Sequence, residues 1–232
     1  MAKTMHLLFI EARRKCVVKL DEEDIKKLPK KIALFATVQY LNSLEAIKKQ
    51  LNSYGKKALV KKLRHSKYKG QILGCNADFD ERLQFADCFL IVGDGDFHSL
   101  GIPSQKPVFC LGPDGRLRRL DNSHNEKIKR RRIAALTSFL HSQKIGILVS
   151  TKPGQNMLKQ AEALKSKLQQ EGKRAYVFFF DTLDFEQLNN FPFVQSWVNT
   201  ACPRIAYDDY EKFSKPVINV SDIINYAEVC KK

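Results

Sequence analysis

The chain has 232 residues, of which 40 are Lys or Arg and 25 are Asp or Glu, and its formal net charge is +15 at pH 7. This balance excludes an acidic disordered activator or tail. Hydrophobic residues make up 44% of the chain, which is enough for a packed core and excludes low-complexity disorder. No apolar run approaches the ~20 residues that a membrane-spanning helix needs, so we expect a cytoplasmic protein of one or two small domains.

The chain begins with a lone strand-like run at residues 5–10, followed by an acidic segment at residues 21–24. An isolated strand of this kind is typical of the end of a unit. We therefore interpret residues 1–29 as the remnant of a preceding domain.

A pattern of buried strand, amphipathic helix and second strand then occurs twice, at residues 31–60 and again at residues 144–177. A glycine follows each helix, Gly55 in the first copy and Gly172 in the second, where it suits a C-cap. The apolar residues at helical spacing are Leu41, Leu44, Ile47 and Leu51 in the first copy and Leu158, Ala161, Leu164 and Leu168 in the second.

Further strands are predicted at residues 89–92, 107–111, 175–180, 194–199 and 216–220. A connecting helix is predicted over residues 122–143, with Ile128, Ile133, Leu136 and Phe139 or Leu140 on one side. Ser221 is the expected N-cap of a terminal helix that runs to Val229.

Because crossovers between parallel strands are right-handed, each copy should form a small parallel sheet with helices on both faces. The predicted fold class is α/β, with two similar small parallel-sheet βαβ domains. We place the first at residues 30–120 and the second, together with the connecting helix, at residues 121–232.

Six cysteines are spread along the chain without a CxxC pair or zinc-finger spacing: Cys16, Cys75, Cys88, Cys110, Cys202 and Cys230. Cys75 and Cys202 each follow a short apolar run where the chain is expected to leave the carboxyl end of a strand, the edge at which parallel α/β sheets bind ligands. A buried structural thiol is the alternative at both positions. Cys88 and Cys110 lie within apolar strands and are predicted core residues, whereas Cys16 is a predicted surface thiol.

Two glycine-bearing loops follow predicted strands, at residues 93–101 and 150–155. Such loops leave backbone N–H groups free to hold a nucleotide-like or carboxylate-bearing ligand, although ordinary turns are the alternative and neither loop has Walker A or dinucleotide-binding spacing. His98 in the first loop could act as an acid or base, or as a structural hydrogen-bonding group. The basic residues between positions 116 and 132 could contact RNA or an acidic protein face, or form a solvated helix face.

Four segments form a distinctive combination: GQILGCN at residues 70–76, GDGDFHSLG at 93–101, ILVSTKPGQ at 147–155 and ACPR at 201–204. In this order and spacing they resemble the diphthamide synthase family, whose archaeal members are 2-(3-amino-3-carboxypropyl)histidine synthases. Residues 190–194 and 208–210 strengthen the resemblance, which extends from about residue 6 to residue 226.

The resemblance implies an S-adenosylmethionine enzyme of three similar α/β domains, each giving one cysteine to a 4Fe-4S cluster that has an open iron position. Reduction of the cluster would cleave the substrate, and the 3-amino-3-carboxypropyl radical would add to a histidine of translation elongation factor 2, the first step of diphthamide biosynthesis. Cys75 and Cys202 would be two cluster ligands, and Gln155 and His98 would lie near the substrate. An electron donor is also implied.

The first cluster cysteine of the family has no counterpart here, because Cys16 lies at a different position. A separate polypeptide carrying the first domain, a truncated chain and a degenerate partner without its own chemistry are the three explanations. We expect one of the first two, so that a homo- or hetero-oligomer including a chain with the third cysteine completes the site. A non-catalytic scaffold of the same pathway and a basic RNA-binding module are the alternatives.

Overall fold

A computed structural model of the chain describes residues 8, 10–63, 66–74, 83, 85–95, 97–100, 102, 104, 106–121 and 123–229. The chain divides into two compact units, Met1–Asn122 and Ser123–Lys232. Each unit has its own sheet, with apolar cores on both faces of that sheet. Within the described ranges, no helix is long and apolar enough to cross a membrane.

The strands of the first unit are β1 (Lys31–Ala36), β2 (Lys57–Leu59), β3 (Cys88–Val92), β4 (Val108–Leu111) and β5 (Leu117–Arg119). Its helices are α1 (Glu22–Lys27), α2 (Ser43–Ser53) and α3 (Phe97–Leu100), with a 3-10 turn at Val38–Tyr40. The five strands form one sheet in the order β2-β1-β3-β4-β5. The first four are parallel, and β5, which the sequence pattern did not predict, pairs antiparallel with β4.

Successive residues of β1 point to opposite faces of this sheet, and both faces are buried. Ile32 and Leu34 pack in a core that includes Ile47 of α2. Phe35 packs on the opposite face, in a core that includes Ile72. Residues 18–28, which precede the repeat, contribute Val18, Leu20, Ile25 and Leu28 to the first of these cores.

The strands of the second unit are β6 (Lys144–Ser150), β7 (Arg174–Phe180), β8 (Ser196–Asn199) and β9 (Val217–Asn219). Its helices are α4 (Ser123–His141), α5 (Leu158–Gln170), α6 (Arg204–Asp208) and α7 (Val220–Val229), with 3-10 turns at Gln187–Asn190 and Tyr210–Lys212. All four strands are parallel, in the order β7-β6-β8-β9.

One face of the second sheet packs on α4, α5 and α7, through residues such as Phe139, Leu168 and Ile223. The other face packs on shorter elements, where Trp197 lies in a core with Leu188 and with Ala206 of α6. The predicted fold class, α/β with two similar small parallel-sheet units, is confirmed. The helices of the second unit are concentrated on one face, with one short helix on the other.

Two local predictions are wrong. Ile133 is 59% exposed, because α4 turns Arg132 rather than Ile133 toward the unit, where Arg132 pairs with Asp222. Helix α7 begins at Val220, so Ser221 lies inside its first turn rather than at the N-cap. The third residue of the helix, Asp222, pairs with Arg132 of α4.

The predicted strand at residues 5–10 lies mostly outside the described residues. Leu8 and Ile10, which are described, have no regular structure and are exposed to solvent. The predicted apolar faces of α2 and α5 are confirmed, because their residues pack in the cores. Gly55 and Gly172 have φ angles of 70° and 79°, the left-handed conformation expected of a helix C-cap.

Candidate functional site

Cys202 lies in the loop just beyond β8, at the carboxyl edge of the second sheet. Thr200 ties this loop to β6, because its backbone N–H and its hydroxyl both donate to the carbonyl oxygen of Leu148, at 3.1 and 2.8 Å. The buried side chain of Asn199 folds over the loop. Its Oδ1 accepts from the N–H of Ala201 at 3.1 Å, and its Nδ2 donates to the carbonyl oxygen of Cys202 at 2.9 Å.

A second buried asparagine, Asn219 at the end of the neighbouring strand β9, completes this clamp. Its Oδ1 accepts from Asn199 Nδ2 at 2.8 Å, and its Nδ2 donates to the carbonyl oxygen of Pro203 at 3.1 Å. The two asparagine side chains therefore hold the backbone on both sides of the Cys202 peptide. The carbonyl oxygen of Cys202 also accepts from the N–H of Ile205 in α6 at 3.1 Å.

The thiol of Cys202 is half-buried and free of disulfide bonding. These hydrogen bonds hold the backbone that carries the thiol, and none of them uses the sulfur. Ala201 adds little bulk beside it, and Pro203 restricts the chain after it. A thiol held in this way suits a metal or cluster that binds thiolate.

Gln155 lies in the loop after β6, the strand adjacent to β8 in the sheet. The backbone N–H of Lys152 donates to Ser150 Oγ at 3.1 Å, and the N–H of Gln155 donates to the carbonyl oxygen of Lys152 at 3.1 Å. Gly154 has a φ angle of 80°, which allows the turn. The structure thus brings the loops of Gln155 and Cys202 to the same edge of one sheet.

His98 lies on α3, just beyond the carboxyl end of β3 in the first unit. Its half-buried ring meets the Phe97 ring edge-on, with 5.3 Å between ring centroids. The Phe97 ring covers Gly74, where an added Cβ would lie 2.7 Å from Phe97 Cε1. The segment that leads to Cys75 therefore packs against the helix of His98. Cys75 itself lies outside the described residues.

The backbone before the two cysteines differs from the prediction. Cys202 does follow a strand, as predicted. In the other unit, Gln71 makes one isolated parallel bridge to Ala36, and residues 72–74 form no strand. The segment before Cys75 therefore extends the carboxyl end of β1 through a single bridge rather than leaving a strand of its own.

A polar cluster at the carboxyl edge of the first sheet was missed by the sequence analysis. The Tyr40 hydroxyl donates to Asp94 Oδ1 at 2.6 Å, and Arg14 pairs with Asp94 Oδ2 at 3.3 Å. Burial, followed by the hydrogen bond to Asp94, raises the pKa of Tyr40 to about 12, so its hydroxyl stays protonated. Thr37 Oγ1 and Gln39 Oε1 are buried without a hydrogen-bond partner among the described residues. The position of Thr37 directly after a buried strand was the signal available in the sequence.

The remaining described cysteines agree with their predicted roles. Cys88 and Cys110 are buried in β3 and β4, and Cys16 is exposed. Burial raises the pKa of Cys88 to about 12, so it remains a protonated core thiol. Cys230 lies outside the described residues. No cluster of three or more His, Cys, Asp or Glu side chains that could hold a metal ion occurs within the part of the chain that the structure describes.

The basic segment at residues 116–132 is partly used inside the second unit. Lys127 and Arg131 form salt bridges with Glu211, and Arg132 forms one with Asp222. Lys129 and Arg130 are exposed on the same helix. Three of its basic residues are therefore engaged in ion pairs, and contact with RNA stays a prediction.

Comparison with known proteins places these two units in a family. The family model of diphthamide synthesis proteins matches residues 2–225. The chain belongs to this family. It is 30% identical over 203 residues to the 2-(3-amino-3-carboxypropyl)histidine synthase of Pyrococcus horikoshii, an alignment that covers 86% of this chain and 58% of that protein.

Two further matches, one to a sequence and one to a solved structure, have lower identities. Subunit 1 of the 2-(3-amino-3-carboxypropyl)histidine synthase of Caenorhabditis elegans is 25% identical over 82% of this chain and 48% of its own length. The crystal structure of Dph2 from Pyrococcus horikoshii with a 4Fe-4S cluster matches with a TM-score of 0.69 and 28% identity, covering 87% of this chain and 58% of that one. The chain thus spans about half the length of the curated relatives it matches.

The Cys202 loop fits an iron–sulfur cluster of the kind that this Dph2 structure contains. Thiolate is the usual protein donor to such clusters. Cys202 places its thiol at the carboxyl edge of the sheet, and its backbone carbonyl oxygen already accepts two hydrogen bonds. The fit is thus that of one thiolate donor.

Proposed function

We propose that the chain is part of a 2-(3-amino-3-carboxypropyl)histidine synthase, which transfers the 3-amino-3-carboxypropyl group of S-adenosylmethionine to a histidine of translation elongation factor 2. This is the first step of diphthamide biosynthesis. The observation that carries the proposal is the Cys202 thiol, clamped by two buried asparagines at the carboxyl edge of a parallel sheet. The family match over residues 2–225 supports it.

Cys75 and Cys202 would hold a 4Fe-4S cluster together with a third cysteine from another part of the assembly, either a further segment of the protein or another chain of a homo- or hetero-oligomer. When bound, the cluster supplies the electron that breaks a C–S bond of the sulfonium substrate. An electron donor must deliver that electron. The four described cysteines are free thiols, which supports a reducing, cytoplasmic setting.

The residues of this chain would position and bind. Asn199 and Asn219 hold the backbone on which the Cys202 thiol is carried. Gln155 and His98 would contact the substrate from loops at the carboxyl edges of their own sheets. Thr37 would accept a hydrogen bond from a substrate donor such as an ammonium group, since burial without a partner leaves its oxygen unsatisfied.

The test is anaerobic cluster reconstitution of the complete assembly, with iron and sulfide counted per chain, visible absorbance, and EPR after dithionite reduction with and without S-adenosylmethionine. We expect Cys202→Ala and Cys75→Ala each to remove the cluster absorbance and most of the iron. Cys16→Ala is the matched control, because Cys16 is an exposed thiol and should leave both unchanged. Full iron and absorbance in both Cys202→Ala and Cys75→Ala would contradict the proposal.

The same experiment separates the alternatives. Iron binding without cleavage of S-adenosylmethionine, even in the complete assembly, would indicate a non-catalytic scaffold. Absence of iron in every combination, together with RNA binding that weakens steeply with salt, would indicate a basic RNA-binding module. The exposed Lys129 and Arg130 are the residues to test in that case.

A further inference from the structure

The second unit contains a buried ionic cluster that the proposed chemistry does not use. Arg132 of α4 pairs with Asp222 of α7, whose residue is only 8% exposed. Tyr207 of α6 lines the same small space as Asp222, and the Arg132 guanidinium lies 5.8 Å from the centroid of the Tyr207 ring. Three helices thus meet at one carboxylate.

The space between these side chains is too small for a ligand. Its volume is about 10 Å³, which is at the lower limit for a single water molecule. Apolar side chains such as Ile128, Ala135 and Ile218 line the rest of it. The cluster is therefore a structural contact between helices rather than a binding site.

Placing a carboxylate here is costly, because removing the charge of Asp222 from water costs free energy that a packed apolar side chain would avoid. Stability alone therefore does not account for it. A buried polar group can instead select one arrangement of the elements around it. Arg132 does so at the expense of exposing Ile133, the next residue of α4.

The arrangement selected here reaches the Cys202 loop. Asp222 lies in the first turn of α7, which begins directly after Asn219, and Asn219, Asp222 and Tyr207 line the same small space. Asn219 in turn bonds to Asn199 and to the carbonyl oxygen of Pro203. A series of neighbouring polar residues therefore leads from the ion pair to the peptide that carries Cys202.

We infer that Arg132, Asp222 and Tyr207 are positioning residues for Cys202. They hold the backbone and side chain of Asn219 in place, and Asn219 with Asn199 holds the cysteine loop. The consequence for a bound cluster rests on the proposed function, whereas the effect on the loop and on the Cys202 thiol does not. The charged residues of α4 thus have an internal role that their sequence pattern conceals.

The principal test variant is Asp222→Asn, compared with Glu211→Gln. Glu211 pairs with Lys127 and Arg131 of the same helix, but its side chain is 69% exposed, so it is a matched ion pair at the surface. The rate of Cys202 alkylation by N-ethylmaleimide is measured by mass spectrometry on the metal-free full chain, with Cys16 as the internal reference. We expect about tenfold faster alkylation in Asp222→Asn, as local opening of the loop becomes more frequent, and no change in Glu211→Gln.

A second variant separates positioning from stability. Arg132→Met combined with Asp222→Leu removes both charges of the pair, a replacement that often leaves stability unchanged, but it also removes the ion pair that ties the first turn of α7 to α4. We expect this double variant to fold and to keep the faster alkylation. Amide hydrogen exchange should rise in residues 199–206 in both variants and stay at the wild-type rate in β6.

Unchanged alkylation and exchange at residues 199–206 in both variants would overturn the inference. An equal rise in β6 and in the loop would also overturn it, because it would assign the pair a role in stability alone. Iron content distinguishes this inference from the proposed function. If the wild-type assembly binds no iron but the loop effects occur, the proposed function fails and the positioning role stands.

Discussion

The two units arrange their first four strands identically, in the orders β2-β1-β3-β4 and β7-β6-β8-β9, yet they equip corresponding loops differently. After β3, the loop carries Asp94, which is held by Tyr40 and Arg14. After the corresponding strand β8, the loop carries Cys202, which is held by asparagines. The comparison shows that the two units share the arrangement of their buried strands. The polar and thiol groups at the carboxyl edge differ between corresponding loops.

At equivalent positions on adjacent strands, the two sheets contain different pairs of neighbouring residues. In the first sheet Ala33 lies beside Phe89, and at the equivalent place in the second Gly146 lies beside Trp197. A Cβ on Gly146 would overlap the Trp197 ring. The larger aromatic ring is thus accommodated by the smaller neighbour.

Of the predicted effects, the largest is the loss of stability when the Gly146–Trp197 pair is changed. Gly146→Ala should lower the free energy of unfolding by about 1–3 kcal/mol, because the buried indole cannot move aside without disturbing the core. Combining it with Trp197→Phe recreates the pair of the first unit and should recover part of the loss. Chemical unfolding followed by circular dichroism measures both.

Ala33→Gly in the first unit is the control for this cycle, since it removes a methyl group without creating an overlap and should cost less. If Gly146→Ala is as stable as the wild type, or if Trp197→Phe brings no recovery, the two pairs are not equivalent solutions.

The edge strands on the matching side of the sheets differ more visibly. In the first unit β2 has three residues and follows Lys56, whereas in the second β7 has seven and exposes Tyr176 and Phe179. Long apolar edge strands are prone to pair with other chains, and short or charged ones resist it. Among the described residues, β7 pairs only with β6.

The edge contrast predicts an effect of intermediate size. Phe179→Lys should reduce concentration-dependent association of the chain, measured by sedimentation velocity, with little change in thermal stability. Tyr54→Lys, at an exposed aromatic residue of the first unit away from β7, is the control and should change association little. Equal association of the wild type and Phe179→Lys would show that the β7 edge does not mediate self-association.

The smallest expected effect concerns acid. Lys67, with further help from Tyr68 and Arg13, lowers the pKa of Glu11 in the first unit to about 2. Burial raises the pKa of Asp222 in the second unit, although Arg132 opposes the rise. Glu11 therefore contributes stability that is lost as the pH falls from about 4.5 to about 2, whereas protonation of Asp222 in acid favours the folded second unit.

Glu11→Gln should consequently make the first unit less sensitive to acid, by a small amount because Glu11 is partly exposed to solvent. Pepsin cleavage within residues 10–30, followed over this pH range, measures the effect. Fluorescence of Trp197, the single tryptophan, reports on the second unit and should not change. A larger acid response in Glu11→Gln than in the wild type would reverse the sign of this assignment.

The candidate site was predictable in part. The position of Cys202 after a strand could be inferred, because a thiol directly after an apolar run falls at the ligand-binding edge. The clamp around it could not, since Asn199 and Asn219 are far apart in sequence and meet only when β8 and β9 pair. The burial of Thr37 and Gln39 was also not predictable, because it depends on residues that pack around them in the folded chain.

The sequence by itself determined the α/β class, the repeated strand–helix–strand pattern and the apolar faces of α2 and α5, because the spacing of apolar residues is a local property of each element. Only the tertiary structure decided that α4 turns Arg132 inward and leaves Ile133 exposed. The rotation of α4 about its axis depends on the ion pair between Arg132 and the buried Asp222. Asp222 belongs to another helix, distant in sequence. A charge is tolerated in a buried position only beside such a partner, which no local pattern can reveal.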